Sequence, residues 1–193
     1  MKDHGFALVG GGARSGKSNF ALRLAMHAGP RRVFVATAVA FDEEMRARID
    51  LHRKERGRDF ETLEAPDDLD TAIARLATEK TGVDVVVVDC LTLWLSNLLM
   101  AERSHGEIEE RVDALARTLT TASFRGVVVT NEVGMGLVPE TPLGRAFRDI
   151  TGRAHQRLAR SASDVYLAAI GAILRLRPGP VALVDGSVES EPA

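Results

Sequence analysis

The chain has 193 residues, 45% of them apolar and 27% charged, with a formal net charge of −2 at pH 7. That length suits one α/β domain with a sizeable core, and the near-neutral balance excludes broad binding to nucleic acid or to an anionic membrane. The single cysteine, Cys90, has no partner for an internal disulfide, and no apolar run approaches the roughly 20 residues of a membrane span. Met1 to Gly5 lead straight into a predicted strand and leave no room for a signal peptide, so a cytoplasmic protein is expected.

A short apolar run at 6–9 is the first predicted strand, and the glycine-rich stretch GGARSGKS at 11–18 follows it. Next come an expected helix at 17–28, a strand at 32–36, a helix at 42–56 and a strand at 60–64. A helix is expected at 67–79, where Pro66, Asp67 and Asp68 suit a capped first turn. The run VDVVVVD makes 83–89 a strand without polar alternation, as expected where both faces are buried. Helices at 91–102, 107–122 and 143–161 and strands at 126–130, 164–169 and 173–177 complete the pattern. Such alternation implies a mainly parallel central sheet with helices on both faces. With the glycine-rich loop after its first strand, the chain reads as an α/β, three-layer fold of P-loop NTPase type. Residues 1–180 read as a single domain and 181–193 as a peripheral C-terminal tail.

The stretch at 11–18 fits G-x-x-x-x-G-K-[ST], with a strand before it and a helix after it. Glycines let successive N–H groups converge on phosphate oxygens, and the helix adds its positive end. Lys17 is then expected at the β and γ phosphates and Ser18 on Mg²⁺. Asp89, closing VVVVD, is the carboxylate expected to hold Mg²⁺ from the end of a neighbouring strand; the competing role is capping the helix that begins at Leu91. On the helix at 42–56, Met45, Ile49 and His52 share one face, which by spacing alone suits packing. Arg53, Lys54 and Arg56 follow His52 directly, and cations beside an imidazole hold it neutral with a lone pair free. Thr130, Asn131 and Glu132 are expected at the C-terminal edge of the sheet, where ligands bind, followed by an irregular loop to Arg145.

Taken together, GGARSGKS, ATAVAFDEEMRARIDLHRKER, DCLTLWLSNLL and TNEVGMGLVPETPLGRAFRDITGRAHQRLA resemble one family over nearly the whole chain. It is the bifunctional adenosylcobinamide kinase / adenosylcobinamide-phosphate guanylyltransferase family of cobalamin synthesis. The resemblance implies two reactions. ATP or GTP phosphorylates the aminopropanol hydroxyl of adenosylcobinamide, and GTP then donates GMP to that phosphate through a guanylyl-histidine. The nucleophile of the family lies in a His–His pair, which here reads Leu51-His52, so His52 is the implied nucleophile. The implied nucleotide contacts are Gly11, Gly12, Ala13, Arg14, Ser15, Gly16, Lys17 and Ser18, the strand end Ala36, Thr37 and Ala38, then Arg53, Lys54, Glu55 and Arg56, with Glu64 and Asp89. Glu64 is expected to read guanine through its N1–H and 2-amino group. The family further implies a homotrimer, while Mg²⁺ is expected from Ser18 and Asp89 and no nucleic-acid partner from the charge balance.

Two other classes fit parts of the chain. A guanine-nucleotide switch would carry N-K-x-D, which is missing, and the one D-x-x-G string, Asp149 to Gly152, falls in a predicted helix. A monofunctional P-loop kinase, with His52 merely packing, is the alternative that the residues alone leave open.

Overall fold

The computed structural model describes residues 4–40, 43, 46, 57 and 59–184. The expected helix at 42–56, and with it His52, Arg53, Lys54, Glu55 and Arg56, lies outside the described residues, apart from Glu43 and Arg46.

Eight strands form one sheet: β1 Gly5–Gly11, β2 Arg32–Ala36, β3 Glu61–Glu64, β4 Val85–Asp89, β5 Arg125–Asn131, β6 Asp164–Ala169, β7 Ala172–Arg177 and β8 Ala182–Val184. Their spatial order is β3-β2-β4-β5-β1-β6-β7-β8. The first six in that order run parallel, and β7 and β8 add antiparallel at one edge. Five helices are described: α1 Lys17–Ala28, α2 Leu69–Glu79, α3 Leu91–Met100, α4 His105–Thr121 and α5 Pro142–Ser161.

The strands bury both faces because their side chains alternate between two cores. In β4, Val86 and Val88 join Leu8, Val128 and the inner faces of α2 to α5. Val85 and Val87 pack the other way, with Val9, Val127 and Phe20 and Ala21 of α1. This three-layer arrangement explains why VVVV needs no polar alternation. Helix α3 is apolar on nearly every side, and its Trp94 is fully buried. Trp94 Nε1 donates to Asp67 O at 3.0 Å, while the Arg111 guanidinium lies 5.4 Å above its ring.

One local expectation is corrected. Asp68 occupies the N-cap of α2 but its side chain makes no capping bond; the first-turn acid Asp70 instead pairs with Arg111 of α4 at 2.5 Å. Residues 182–184, within the stretch read as peripheral tail, add an edge strand against β7. Asp149 to Gly152 lies inside α5, as the sequence implied.

Candidate nucleotide site

Parallel pairing brings the ends of β3, β2, β4, β5 and β1 to a common edge, in that order. The residues there are Glu64, Ala36, Asp89, Asn131 and Gly11. Their adjacency is set by register: Ala36 faces Glu64 on one side and Asp89 on the other, and Gly11 faces Asn131.

From β1 the chain turns sharply into α1. Arg14 and Gly16 both have positive φ, 55° and 88°, the kind of curled backbone that suits aiming N–H groups at an anion. A side chain on Gly12 or Gly16 would meet nothing within 4 Å, so the loop is open where phosphate would lie. Gly11 is the opposite case: a Cβ there would sit 2.6 Å from Ala168 O and 2.7 Å from Ser15 Oγ. Only glycine permits that close approach of β1, β6 and the loop. Lys17 is buried, and its Nζ donates to Gly12 O at 3.0 Å, folding the ammonium back across the loop. Ser15 Oγ is buried without a hydrogen-bond partner. An orphaned hydroxyl in an open, glycine-rich loop at a helix N-terminus suits a cradle for anionic oxygens. Ser18 follows in the first turn of α1.

Asp89 is half-buried at the end of β4. The N-cap of α3 is Cys90, one residue beyond Asp89. Ser18 and Asp89 together offer two oxygens, a set that fits Mg²⁺, which takes one or two protein oxygens and completes its shell with phosphates and water.

Beneath this edge lies a buried polar network. Thr37 Oγ1 donates to Cys90 O at 2.7 Å and accepts from Cys90 N–H at 2.9 Å. Asn97 Nδ2 donates to Thr37 O at 3.0 Å and to Pro66 O at 2.9 Å. Asn131 donates its backbone N–H to Thr92 Oγ1 at 2.9 Å. These bonds tie the ends of β2, β4 and β5 to α3, so Asp89 projects from a braced junction. Burial pushes the Cys90 thiol up, and the Asp89 carboxylate adds to that; the group stays a protonated, inert thiol at neutral pH.

Of the residues singled out in the sequence, 11–18 and Asp89 share this edge with Ala36, Thr37 and Ala38. Glu64 ends the outermost strand, four strands from β1; at about 4.8 Å per strand that is about 19 Å. The Thr37 hydroxyl is already committed on both sides to Cys90. Two residues that sequence reasoning passed over stand out: Thr92, which joins β4 to β5, and His155 on α5. His155 Nε2 lies 2.7 Å from Thr130 Oγ1. The one local signal was its place beside the buried stripe Ile150, Thr151, Ala154 and Leu158.

A family model described as cobinamide kinase / cobinamide phosphate guanyltransferase matches residues 7–176, which takes in every element of this edge. The chain belongs to that family. The bifunctional adenosylcobalamin biosynthesis protein CobU of Salmonella typhimurium is 40% identical over 183 residues, covering 88% of this chain and 98% of that protein. The Pseudomonas aeruginosa protein CobP, of the same description, is 40% identical over 174 residues, covering 90% and 98%. As a member of the cobinamide kinase / cobinamide phosphate guanyltransferase family, the protein is an enzyme of cobalamin synthesis with two transferase activities and nucleotide substrates. The single-activity kinase alternative gives way to this. Among solved structures, the RadB recombinase has a TM-score of 0.52 at 16% identity, covering 95% of this chain and 88% of that one. A Pyrococcus horikoshii protein has a TM-score of 0.54 at 9% identity, covering 91% and 87%. Those likenesses bear on the P-loop fold alone. No helix among the described residues is long and apolar enough to cross a membrane.

Proposed function

We propose that the loop 11–18 holds the nucleoside triphosphate in both reactions, and that His52 is the residue that carries GMP between them. In the first, the phosphate cradle and Lys17 position the γ-phosphoryl group of ATP or GTP for attack by the aminopropanol hydroxyl of adenosylcobinamide. In the second, His52 attacks the α-phosphorus of GTP, expels pyrophosphate and stores GMP as a phosphoramidate. The phosphate of adenosylcobinamide phosphate then takes the GMP, and the histidine is freed. Lys17 and the N-terminus of α1 meet the charge that collects on the phosphates. Ser18 and Asp89 are the residues that would hold Mg²⁺, which supplies charge neutralisation between phosphates when bound.

The observation that carries this reading is the open loop itself. Its positive-φ turn, buried Lys17 and unpartnered Ser15 Oγ form a site shaped for anionic oxygens. Ala36 to Ala38, Arg53 to Arg56 and Glu64 complete the proposed nucleotide contacts, with Glu64 reading the base. Cytoplasmic location, a homotrimer and the lack of a nucleic-acid partner belong to the same proposal; the lone Cys90 and the net charge of −2 support the first and last.

The test is labelling with α-labelled GTP followed by peptide mapping. The label is expected on the peptide that contains His52, acid-labile and stable in alkali. His52→Asn should form no adduct and no adenosylcobinamide-GDP while still phosphorylating adenosylcobinamide. A His52→Asn protein that is still labelled would place the nucleophile elsewhere.

A further inference from the structure

The kinase reaction needs a group to take the proton of the attacking hydroxyl, and the residues discussed so far do not supply one. Glu132 is the first residue beyond β5. Its backbone N–H donates to Gly11 O at 3.0 Å, which fixes it beside the opening residue of the phosphate loop. Among the acids at this edge its strand is the nearest to β1: β5 adjoins β1, β4 with Asp89 is two strands away, and β3 with Glu64 is four.

We propose that Glu132 is the general base of the kinase reaction, held in place by Gly134 and by a Thr130–His155 pair behind it. This rests on the reading that the loop 11–18 holds the γ-phosphate. The carboxylate is held at one oxygen, where Oε1 accepts the Gly134 N–H, and its Oε2 lies 3.8 Å from His155 Nδ1. A Cβ on residue 134 would come within 2.9 Å of Oε1, so glycine lets the loop close on the carboxylate. The side chain is 26% exposed, open enough to meet a substrate hydroxyl. Behind it, His155 is anchored by the buried Thr130 hydroxyl at 2.7 Å. Burial lowers the His155 pKa, so its ring is neutral at pH 7 and leaves the carboxylate free to accept a proton. The ring pairs with Thr130 Oγ1 through Nε2, which leaves Nδ1 as the ring nitrogen on the Glu132 side.

The step balances simply. As the hydroxyl oxygen of the substrate bonds to the γ-phosphorus, its proton passes to Glu132 Oε2. The bond from that phosphorus to the β,γ-bridging oxygen breaks, and its electron pair leaves on the nucleoside diphosphate. The partly exposed carboxylate then releases the proton to water and is restored for the next turnover. The guanylyl transfer makes no such demand, because its acceptor is a phosphate monoester already ionised at neutral pH.

The experiment measures both reactions separately in Glu132→Gln, supplying adenosylcobinamide phosphate directly for the second. Kinase kcat should fall about 100-fold or more, the range of a lost general base. The KM for ATP and the rate of guanylyl transfer should stay within about threefold. His155→Ala, acting through Glu132, should lower kinase kcat about tenfold with KM unchanged, and should add nothing in the Glu132→Gln background. Glu132→Asp, which keeps the carboxylate, should restore part of the rate and serves if the glutamine variant folds poorly. Kinase kcat within twofold of wild type in Glu132→Gln, or equal loss of both reactions by a folded variant, would overturn the proposal. Binding of a non-hydrolysable ATP analogue that survives Lys17→Ala unchanged would instead overturn the reading of the loop, whatever Glu132 does.

Discussion

Thr37→Val tests whether the Thr37 hydroxyl serves the brace beneath the site, leaving its backbone as the nucleotide contact. Valine keeps the shape of threonine and deletes a hydroxyl that both donates to Cys90 O and accepts from Cys90 N–H. The carbonyl retains the Trp94 N–H at 3.4 Å, but the buried Cys90 N–H is left without the hydroxyl. An unsatisfied buried donor costs about 1–3 kcal/mol, and the second lost bond adds about 1 kcal/mol. The total is about 2–4 kcal/mol. In a chain of this length each kcal/mol moves Tm by about 2–4 °C. The fall should therefore be about 4–16 °C, read by scanning calorimetry on the nucleotide-free protein. Thr37→Ser keeps the hydroxyl and loses one methyl, for about 0.8 kcal/mol, and should fall far less. A valine variant within 2 °C of wild type, or no lower than the serine variant, would refute the brace. Were the hydroxyl a nucleotide contact instead, the valine variant would hold its Tm and raise the KM for GTP.

Lys17→Ala should lower both activities by about 100-fold or more, since both present a triphosphate to one loop and lose the same charged donor. Steady-state rates of each reaction check this, and a variant that keeps either one at wild-type rate would separate their sites. Asp89→Asn should fold normally but need more Mg²⁺ for half-maximal rate, because an amide coordinates it less well than a carboxylate. An unchanged Mg²⁺ titration would remove Asp89 from the metal.

What was legible in the sequence was local. The phosphate loop shows because its spacing, preceding strand and following helix lie within about two dozen adjacent residues. β4 shows because a central strand buried on both faces is simply an apolar run. β8 did not show: three residues behind Pro178, Gly179 and Pro180 carry too little pattern to outweigh those breakers. The polar brace was invisible for another reason. Thr37 and Cys90 are 53 residues apart, Thr130 and His155 are 25 apart, and no spacing rule links a hydroxyl to a partner that only sheet topology brings near. Pro66-Asp67-Asp68 misled in the opposite direction. The cap residue was correctly placed, but the useful acid is Asp70, chosen by Arg111 from another helix.

The order of the strands bears on how one loop can serve two reactions. A triphosphate is common to both, but the kinase step attacks its γ-phosphorus and the transfer step its α-phosphorus, so the two nucleophiles must come from different places. In the proposed scheme the kinase base, Glu132, comes from the loop after β5, immediately beside β1. The transfer nucleophile, His52, belongs to the connection between β2 and β3, whose ends lie three and four strands from β1. Glu64, the proposed reader of guanine, ends β3. The γ-phosphate is proposed to sit against the β1–α1 loop, so a nucleotide laid from β1 toward β3 would put its γ-phosphorus beside Glu132 and its α-phosphorus and base toward Glu64. Under that proposal the two chemistries are separated along one bound nucleotide, with the kinase base at its γ-phosphate end and the guanylyl acceptor acting at its α-phosphorus.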